Sequence, residues 1–400
     1  MTRTTYRTRM LDLGNYQKTL SNKMLLLINA GIFIAVGSVS SRFHVLQVWL
    51  NLNYAEFSWL LLSFSCGQIL SNLIIGRLIP IFGSKKILLT MTTFISFALI
   101  NFIETPSYTV VLVLFLLLSF GFGGGMVVVM AQAGTVQTQQ GKSWISFFQG
   151  VSGIGVIGGM GSGLLTNYLN IPIDIHFPFV GITLLTLLTT ALYVYVPYEI
   201  DRPQENKIYE LSTKIILLGC INFTLILSTS SSVISWSGVT LRDKFQLPDD
   251  LATLGAFGFV FSETVIRFYG DRLTKRFGKI PLLIFTGLLT WLSLLLVYLI
   301  HHPMWALLSF ACVGLASGTI QPIVFSLTAE QKGSISHNMA FIMLFQSVAF
   351  LSGPMITGSI AQHIGLFEIY FFCSCTSVLI VLFAVLFRKE QKKLDSQSIL

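Results

Sequence analysis

GRLIPIFG at residues 76–83 and DRLTKRFG at residues 271–278 share Arg-Leu and Phe-Gly at matching positions, 195 residues apart. Each stretch follows a long apolar run and leads into another. The same offset pairs further glycines along the chain: Gly123 with Gly318, Gly158 with Gly353 and Gly163 with Gly358. A chance match between apolar segments does not keep one register across several loops. The chain therefore consists of two related halves.

The composition of the chain is that of a protein surrounded by lipid. Of its 400 residues, 53% are hydrophobic and only 10% are charged, whereas a soluble domain carries about 25% charged residues. Apolar runs of about 20 residues recur along the whole length, and each can span a hydrocarbon core of about 30 Å. These features predict an all-α integral membrane protein, with the lipid bilayer as a partner.

Twelve apolar runs predict twelve transmembrane helices, six in each half. Their expected positions are 24–46, 57–79, 87–104, 109–132, 144–167, 177–196, 214–236, 250–270, 280–300, 303–326, 337–360 and 366–387. The resulting parts are an N-tail, an N-terminal six-helix bundle, a polar linker, a C-terminal six-helix bundle and a charged tail: 1–23, 24–196, 197–213, 214–387 and 388–400. Because six spans return the chain to its starting side, the halves are parallel repeats, a plan known from transport proteins.

Lysine and arginine are distributed unequally between the two ends of these helices. Of 25 such residues, 21 lie on the side of the termini, and only Arg242 and Lys244 lie in the opposite loops. Basic loops stay on the cytoplasmic side of a membrane, so we expect both termini in the cytoplasm. The net charge of +8 then reflects topology, and no nucleic-acid partner is expected.

No residue pattern in the chain points to a chemical reaction or a bound cofactor. All five cysteines fall inside apolar runs, where small buried hydrophobic side chains are the usual interpretation. No metal-ligand spacing occurs. The glycines at 121–125 lack the Lys-Ser/Thr of a nucleotide-binding loop. We therefore predict no catalytic residue, no metal, no cofactor and no enzyme activity.

Several segments, taken in order, carry a family likeness: Ser41-Arg42-Phe43, Gly76-Arg77-Leu78, Phe82-Gly83-Ser84, Gly121-Phe122-Gly123, Leu241-Arg242, Gly270-Asp271-Arg272-Leu273, Arg276-Phe277-Gly278 and Gly353-Pro354. Through them nearly the whole chain resembles the major facilitator superfamily. More narrowly, it is similar to the bacterial inner-membrane YbjJ-type group, which is akin to fucose permeases. The resemblance implies the major facilitator fold in the inner membrane, a monomer, a small-molecule substrate, and H⁺ or Na⁺ as the coupling ion.

The chain also departs from this family at positions that carry function there. The family's acid and base before Phe-Gly are replaced by Pro80-Ile81 in the first half and by Lys275-Arg276 in the second. Ser230 and Ser235 stand where the YbjJ-type proteins tend to carry acids. Coupling to protons through the group's usual residues therefore stays open.

Glu263 is the one acid that lies away from the ends of a predicted span, and Arg267 follows four residues later. This spacing puts both side chains on one face of a helix. An ionisable residue at membrane depth should face a cavity or a partner. The pair is either a coupling or substrate-binding site or a structural ion pair. The counterparts at the repeat offset, Gln68 and Asn72, are also polar, which favours a cavity.

Other polar residues of the predicted spans are further candidates for substrate binding: Arg42, Gln132, Gln149, Trp236, Gln321 and Gln346. The resemblance implies that most of the helices carrying them line a central cavity. Arg42 can equally extend to the membrane interface, each glutamine can bond a neighbouring helix, and Trp236 can simply pack. Four charged residues are candidates for a cytoplasmic gate: Arg77, Asp271, Arg272 and Arg276.

Transport of a small polar solute by alternating access, either secondary active or facilitative, is the leading functional hypothesis. Export of a drug-like compound or a siderophore is the second, because the fourth span is entirely apolar from Met126 to Met130. A receptor or assembly protein that kept the fold but lost transport is the third, because the loop acids are missing.

Overall fold

The structure is a computed structural model that describes residues 15–42, 46, 49–51, 54–102, 107–140, 144–198, 212–247, 254–300 and 302–397. Twelve helices run through them: α1 Asn15–Ser40, α2 Tyr54–Phe82, α3 Ser84–Ile100, α4 Tyr108–Gln140, α5 Trp144–Tyr168, α6 Ile173–Val194, α7 Thr213–Asp243, α8 Leu254–Phe277, α9 Lys279–Leu299, α10 Pro303–Ala329, α11 Ile335–His363 and α12 Leu366–Gln397. Most of the predicted N-tail and linker lies outside the described residues.

Each predicted span coincides with one of these helices, and the prediction of an all-α membrane protein with twelve spans is confirmed. Nine of the described helices are long and apolar enough to cross a bilayer by length and composition alone. The other three are α3, α5 and α8. α3 has only 17 residues, seven glycines dilute the hydropathy of α5, and α8 carries several charged side chains.

The helix pairs that pack together are the same in the two halves of the chain. In the first half α2 packs on α4, α3 packs on α4 and α6, and α1 packs on α6. In the second half the corresponding helices repeat this arrangement: α8 on α10, α9 on α10 and α12, and α7 on α12. The repeat predicted from the sequence is therefore also a repeat of packing.

The Phe-Gly motif of each half ends one helix and starts the next. Gly83 precedes α3 with φ 82° and ψ 148°, and Gly278 precedes α9 with φ 79° and ψ 154°. Side chains strongly disfavour this backbone conformation, which essentially only glycine adopts. The motif recurs because the same tight connection recurs.

The described residues divide into two compact units. The first lies within Met1–Gln140, Val151–Lys207 and Ser334–Ala340. The second lies within Gly141–Gly150, Ile208–Gly333 and Phe341–Leu400. The start of α11 thus belongs to the first unit and the start of α5 to the second. The bundle boundaries at 24–196 and 214–387 stay a prediction.

Two helices differ in detail from the predicted spans. α12 continues to Gln397, through most of the tail that was expected from residue 388, because lysine, glutamate and glutamine are good helix formers. α7 contains one π-helical turn at Ser230–Ile234. Such turns appear mostly as local insertions in α-helices and often lie at functional sites.

Glycines of α5 allow it to pack against α1 without intervening side chains. A Cβ at Gly159 would collide with the carbonyl oxygen of Ile34 and would lie 2.7 Å from the backbone nitrogen of Ser38. A Cβ at the preceding Gly158 would meet no described atom within 4 Å. Backbone-to-backbone packing is a common way for membrane helices to associate.

We expect Gly159→Ala to lower the free energy of unfolding by about 1–3 kcal/mol, the usual cost of overpacking. Gly158→Ala is the matched control and should leave stability unchanged or slightly raised. Thermal unfolding of both variants in detergent, followed by tryptophan fluorescence, measures the difference. Equal melting temperatures would show that α1 and α5 do not pack as described.

Candidate functional site

An ion pair on α8 is the starting point of the polar centre in the second unit. Glu263 Oε1 lies 2.9 Å from Arg267 Nη2, one helical turn away. Only 16% of the Glu263 side chain and 9% of the Arg267 side chain are exposed. Each charge depends on the other, because removing one partner of a buried pair leaves an uncompensated charge.

Two glycines of α10 explain how closely α10 approaches α8. A Cβ at Gly314 would collide with the carbonyl oxygen of Phe259, and a Cβ at Gly318 with that of Glu263. Gly314 and Gly318 are four residues apart, the spacing of small residues that lets membrane helices approach closely. This approach brings the side chains of α10 within reach of the ion pair.

Ser317 and Gln321 of α10 hydrogen-bond to the ion pair. Ser317 Oγ donates to Glu263 Oε1 at 2.8 Å, and Arg267 Nη2 donates to Gln321 Oε1 at 2.9 Å. Hydrogen bonds to charged groups are roughly twice as strong as those between neutral groups. Gln321 was a predicted candidate and Ser317 was not, although it lies one turn before Gln321 on the same helical face.

The hydrogen bonds continue through amides to α11 and α7. Gln321 Nε2 donates to Gln346 Oε1 at 3.2 Å. Asn222 Nδ2 donates to the same oxygen at 3.4 Å and to the carbonyl oxygen of Ile342 at 3.3 Å. The polar network, as we call it, therefore joins four helices of the second unit: Asn222, Glu263, Arg267, Ser317, Gln321 and Gln346. The sequence analysis missed Asn222, whose signal was an amide inside an apolar span.

Two polar atoms of this network have no hydrogen-bond partner among the described residues. They are Arg267 Nε, a donor, and Asn222 Oδ1, an acceptor. Arg267 is 7% exposed and Asn222 is fully buried, and buried polar atoms normally have partners. Both atoms are closed to solvent in this arrangement of the helices.

Gln149, at the start of α5, contacts the network through its backbone. Arg267 Nη1 donates to the carbonyl oxygen of Gln149 at 3.4 Å. The sequence analysis proposed the side-chain amide of Gln149 for substrate binding. This contact instead uses an atom that any residue at the position would supply.

Gln132 lies in the first unit, where it anchors the chain that follows α6. Its amide nitrogen donates to Ser84 Oγ at 2.9 Å and to the carbonyl oxygen of Tyr198 at 3.2 Å. Its oxygen accepts from Tyr195 Oη at 2.8 Å and from the backbone nitrogen of Tyr198 at 2.9 Å. Gln132 is fully buried, and these four bonds occupy its amide. This geometry favours the structural interpretation of Gln132.

The side chain of Tyr198 anchors the same segment to α1. Its phenol donates to Asn22 Oδ1 of α1 at 3.0 Å. Burial raises the pKa of this phenol, and its hydrogen bonds with Asn22 and Gln140 offset the rise only in part. Tyr198 therefore stays protonated at neutral pH and remains a donor.

Arg42 and Trp236 each make a contact apart from the polar network. Arg42 is 1% exposed, and its Nη2 donates to the carbonyl oxygen of Ile171 at 2.6 Å. It is therefore buried in the first unit instead of reaching the membrane interface. Trp236 Nε1 donates to Thr357 Oγ1 of α11 at 3.0 Å, beside the π turn of α7.

Three of the four charged residues predicted to form a gate make contacts within their own helix. Asp271 Oδ2 accepts from Lys275 Nζ at 3.1 Å. The guanidinium of Arg272 lies 5.9 Å from the ring centre of Tyr269. The guanidinium of Arg276 lies 5.3 Å from the ring centre of Phe277. Arg77 is exposed. Their role as a gate stays a prediction.

Comparison with known proteins places this architecture among membrane transporters. The sequence profile of the Major Facilitator Superfamily matches residues 24–334 and 221–399. The Membrane protein MosC of Rhizobium meliloti is 26% identical over 372 residues, which cover 90% of this chain and 88% of that protein. An MFS-type transporter of Yersinia pestis is 25% identical over 319 residues, covering 78% and 82% of the two chains.

Solved structures share the fold at low sequence identity. The human organic anion transporter MFSD10 (TETRAN) has a TM-score of 0.77 at 13% identity and covers 92% of this chain and 99% of that one. A single-residue variant of the Escherichia coli fucose:proton symporter FucP has a TM-score of 0.73 at 12% identity, with coverage of 92% and 99%. These likenesses concern the fold.

Proposed function

Because the chain belongs to the major facilitator superfamily, we propose that it moves a small polar solute across the inner membrane by alternating access. The family makes the chain a membrane transporter of a solute and not an enzyme. The proposal adds the solute class, the mechanism and the site. We assign solute binding and coupling to the polar network, and we propose a monomer with both termini in the cytoplasm.

The observation that carries the assignment is the buried polar network itself. It combines the Glu263–Arg267 ion pair with three amides, all on helices of the second unit. Polar and ionisable residues inside membrane segments are costly and mark substrate or ion pathways. Once alternating access opens the network, the unpartnered Arg267 Nε and Asn222 Oδ1 suit a solute with hydroxyl, carboxylate or amine groups.

Glu263 is the group that we propose for coupling, with a proton as the ion. Its carboxylate is the acid of the network, and it lies beside both a cation and a hydroxyl donor. A solute that takes over a hydrogen bond of Arg267 competes with Glu263 for this guanidinium, so the solute and the coupling ion act on the same ion pair. The fucose:proton symporter that shares this fold supports the choice of ion.

A thermal-shift screen of the purified protein against sugars, amino acids, siderophores and drugs tests the proposal. A ligand at 100 times its Kd stabilises the folded state by about 2.7 kcal/mol, so a polar solute should raise the melting temperature by several degrees. Gln346→Leu should abolish this rise, because Gln346 joins Gln321 to Asn222. Gln132→Leu is the matched control: it should melt lower without ligand but keep the rise.

The alternative functions give other results in the same screen or in a flux assay. An exporter of a drug-like compound or a siderophore would be stabilised by amphiphilic ligands alone, which suits the buried apolar stretch from Met126 to Met130. A receptor would bind its solute but show no flux of it in proteoliposomes. A ligand-induced rise in melting temperature that is unchanged in Gln346→Leu would exclude the polar network as the binding site.

A further inference from the structure

A groove on the membrane-facing side of the first unit runs between α1 and α6. It is lined by Met24 and Leu27 of α1 and by six residues of α6 between Thr183 and Val194. Its volume is about 470 Å³, within the range of about 300–1,000 Å³ that is typical of ligand pockets. The groove is therefore large enough to hold a small molecule or a chain.

The walls of this groove are apolar although α6 contributes three threonines. Thr186 Oγ1 donates to the carbonyl oxygen of Thr183 at 2.9 Å, and Thr190 Oγ1 donates to that of Thr186 at 2.7 Å. With these two hydroxyls bonded to their own helix, the methyl groups of Thr186 and Thr190 remain for contact. The walls therefore suit a hydrocarbon chain.

The length of the groove corresponds to one leaflet of a bilayer. From Thr183 to Val194 the helix rises about 16 Å at 1.5 Å per residue. The hydrocarbon layer of one leaflet is about 15 Å thick, half of the 30 Å core. An acyl chain that enters at the Val194 end therefore reaches the bilayer centre near Thr183.

Basic and aromatic side chains surround the Val194 end. Lys85 Nζ donates to the carbonyl oxygens of Tyr193 and Tyr195, at 3.2 and 2.9 Å. Its third N–H has no acceptor among the described residues and can bind a phosphate oxygen. Lys23 is exposed directly before Met24, and Tyr193 is 86% exposed, as expected of a tyrosine at the membrane interface.

The two helices hold this end of the groove in a fixed arrangement. Ser21 Oγ of α1 donates to the carbonyl oxygen of Val196 at 2.5 Å, which keeps Lys23 near the end of α6. A Cβ at Gly31 would lie 2.6 Å from Leu188 Cδ2, so α1 and α6 are in close contact behind the groove. The mouth and the wall are therefore built before a ligand arrives.

We propose that this groove binds one anionic phospholipid, with an acyl chain along Thr183–Val194 and its phosphate at Lys23 and Lys85. Charge complementarity decides between a lipid and a second copy of the chain. A helix packed over the groove would remove two ammonium groups from water without replacing their hydration. A phosphate offers them acceptors, and a free anion would leave the apolar wall uncovered.

Native mass spectrometry of the purified protein, titrated with lipids, tests this site. Phosphatidylglycerol should bind at the first lipid site at least tenfold more tightly than phosphatidylcholine with the same chains. Loss of each lysine should weaken the binding of phosphatidylglycerol about fivefold, the effect of about 1 kcal/mol per basic residue near an anionic surface. Lys23→Gln, Lys85→Gln and the double variant give this series, and the exposed Lys244→Gln is the charge control.

The hydrocarbon part of the site is tested by filling the groove. Thr190→Phe should weaken the binding of phosphatidylglycerol and of phosphatidylcholine to the same extent. Thr93→Phe is its control, because Thr93 is an exposed threonine of α3 whose hydroxyl also bonds its own helix. Lys85 also donates to backbone carbonyls, so its replacement can prevent folding. If Lys85→Gln does not fold, the result for Lys23→Gln tests the lipid site.

Three results would overturn the site. The first is equal affinity of the wild-type protein for the two lipids. The second is a variant, Lys23→Gln or Thr190→Phe, that binds phosphatidylglycerol as tightly as its control does. The third is a dimer of the wild-type protein that Thr190→Phe dissociates, which would make a second copy of the chain the occupant.

Discussion

Arg267→Met is expected to destabilise the protein by about 3–5 kcal/mol, the cost of breaking a buried ion pair by removing one partner. Glu263 would lose its counter-ion at a site where only 16% of its side chain is exposed. It would retain only the hydroxyl of Ser317 as a donor among the contacts described above. Thermal unfolding in detergent measures the loss.

A second substitution should restore most of this stability. Glu263→Gln combined with Arg267→Met removes both charges, and replacing a buried pair with neutral groups is often tolerated. Lys275→Met is the matched control, because it breaks a pair of the same spacing on the same helix. That pair is exposed, at 66% for Lys275 and 37% for Asp271, and exposed pairs contribute only about 0–1 kcal/mol.

Two results of these unfolding measurements would contradict the prediction. If Arg267→Met melts like Lys275→Met, Glu263 is not confined with Arg267 as the structure describes. If the double variant melts as low as Arg267→Met, the loss arises from the missing packing of the arginine stem and not from an uncompensated charge.

The fold was predictable because lipid leaves few options for the backbone. Helices satisfy their own backbone hydrogen bonds, so long apolar runs in a membrane become helices, and each of the twelve runs did. The repeat offset of 195 residues also predicted two related halves, and corresponding helices pack together in each half. The π turn of α7 at Ser230–Ile234 was not predicted, since it changes the helical register without a pattern in composition.

The site was predictable only along single helices. Spacing alone paired Glu263 with Arg267, because side chains four residues apart share a helical face. Spacing does not tell which glutamine meets which across helices. The sequence therefore predicted Gln321, Gln346 and Gln132 as binding residues on the same grounds. The amide of Gln132 is instead hydrogen-bonded to Ser84, Tyr195 and Tyr198.

Glu263→Gln is expected to remove coupling while keeping the hydrogen bonds of the site, at some cost in stability because Arg267 loses its counter-ion. The glutamine oxygen can still accept hydrogen bonds from Ser317 and Arg267, at the positions of the bonds described above. It cannot release or take up a proton between pH 5 and 8. We therefore expect the variant to exchange solute across the membrane but not to accumulate it.

The size of this effect follows from the energy of a proton gradient. One pH unit is worth 1.36 kcal/mol per proton, or a factor of about ten in concentration. With one proton per solute molecule, the wild-type protein should accumulate an uncharged solute about tenfold per pH unit. Glu330→Gln is the control, because Glu330 is a half-exposed acid paired with Lys279 outside the polar network.

The most direct test of the polar network as the coupling site is accumulation of the solute identified by the thermal screen in proteoliposomes with an imposed pH gradient. We expect accumulation that rises about tenfold per pH unit for the wild-type protein and Glu330→Gln. For Glu263→Gln we expect equal concentrations inside and outside at every pH, with exchange of labelled solute preserved. Accumulation by Glu263→Gln that matches the wild-type protein would contradict it.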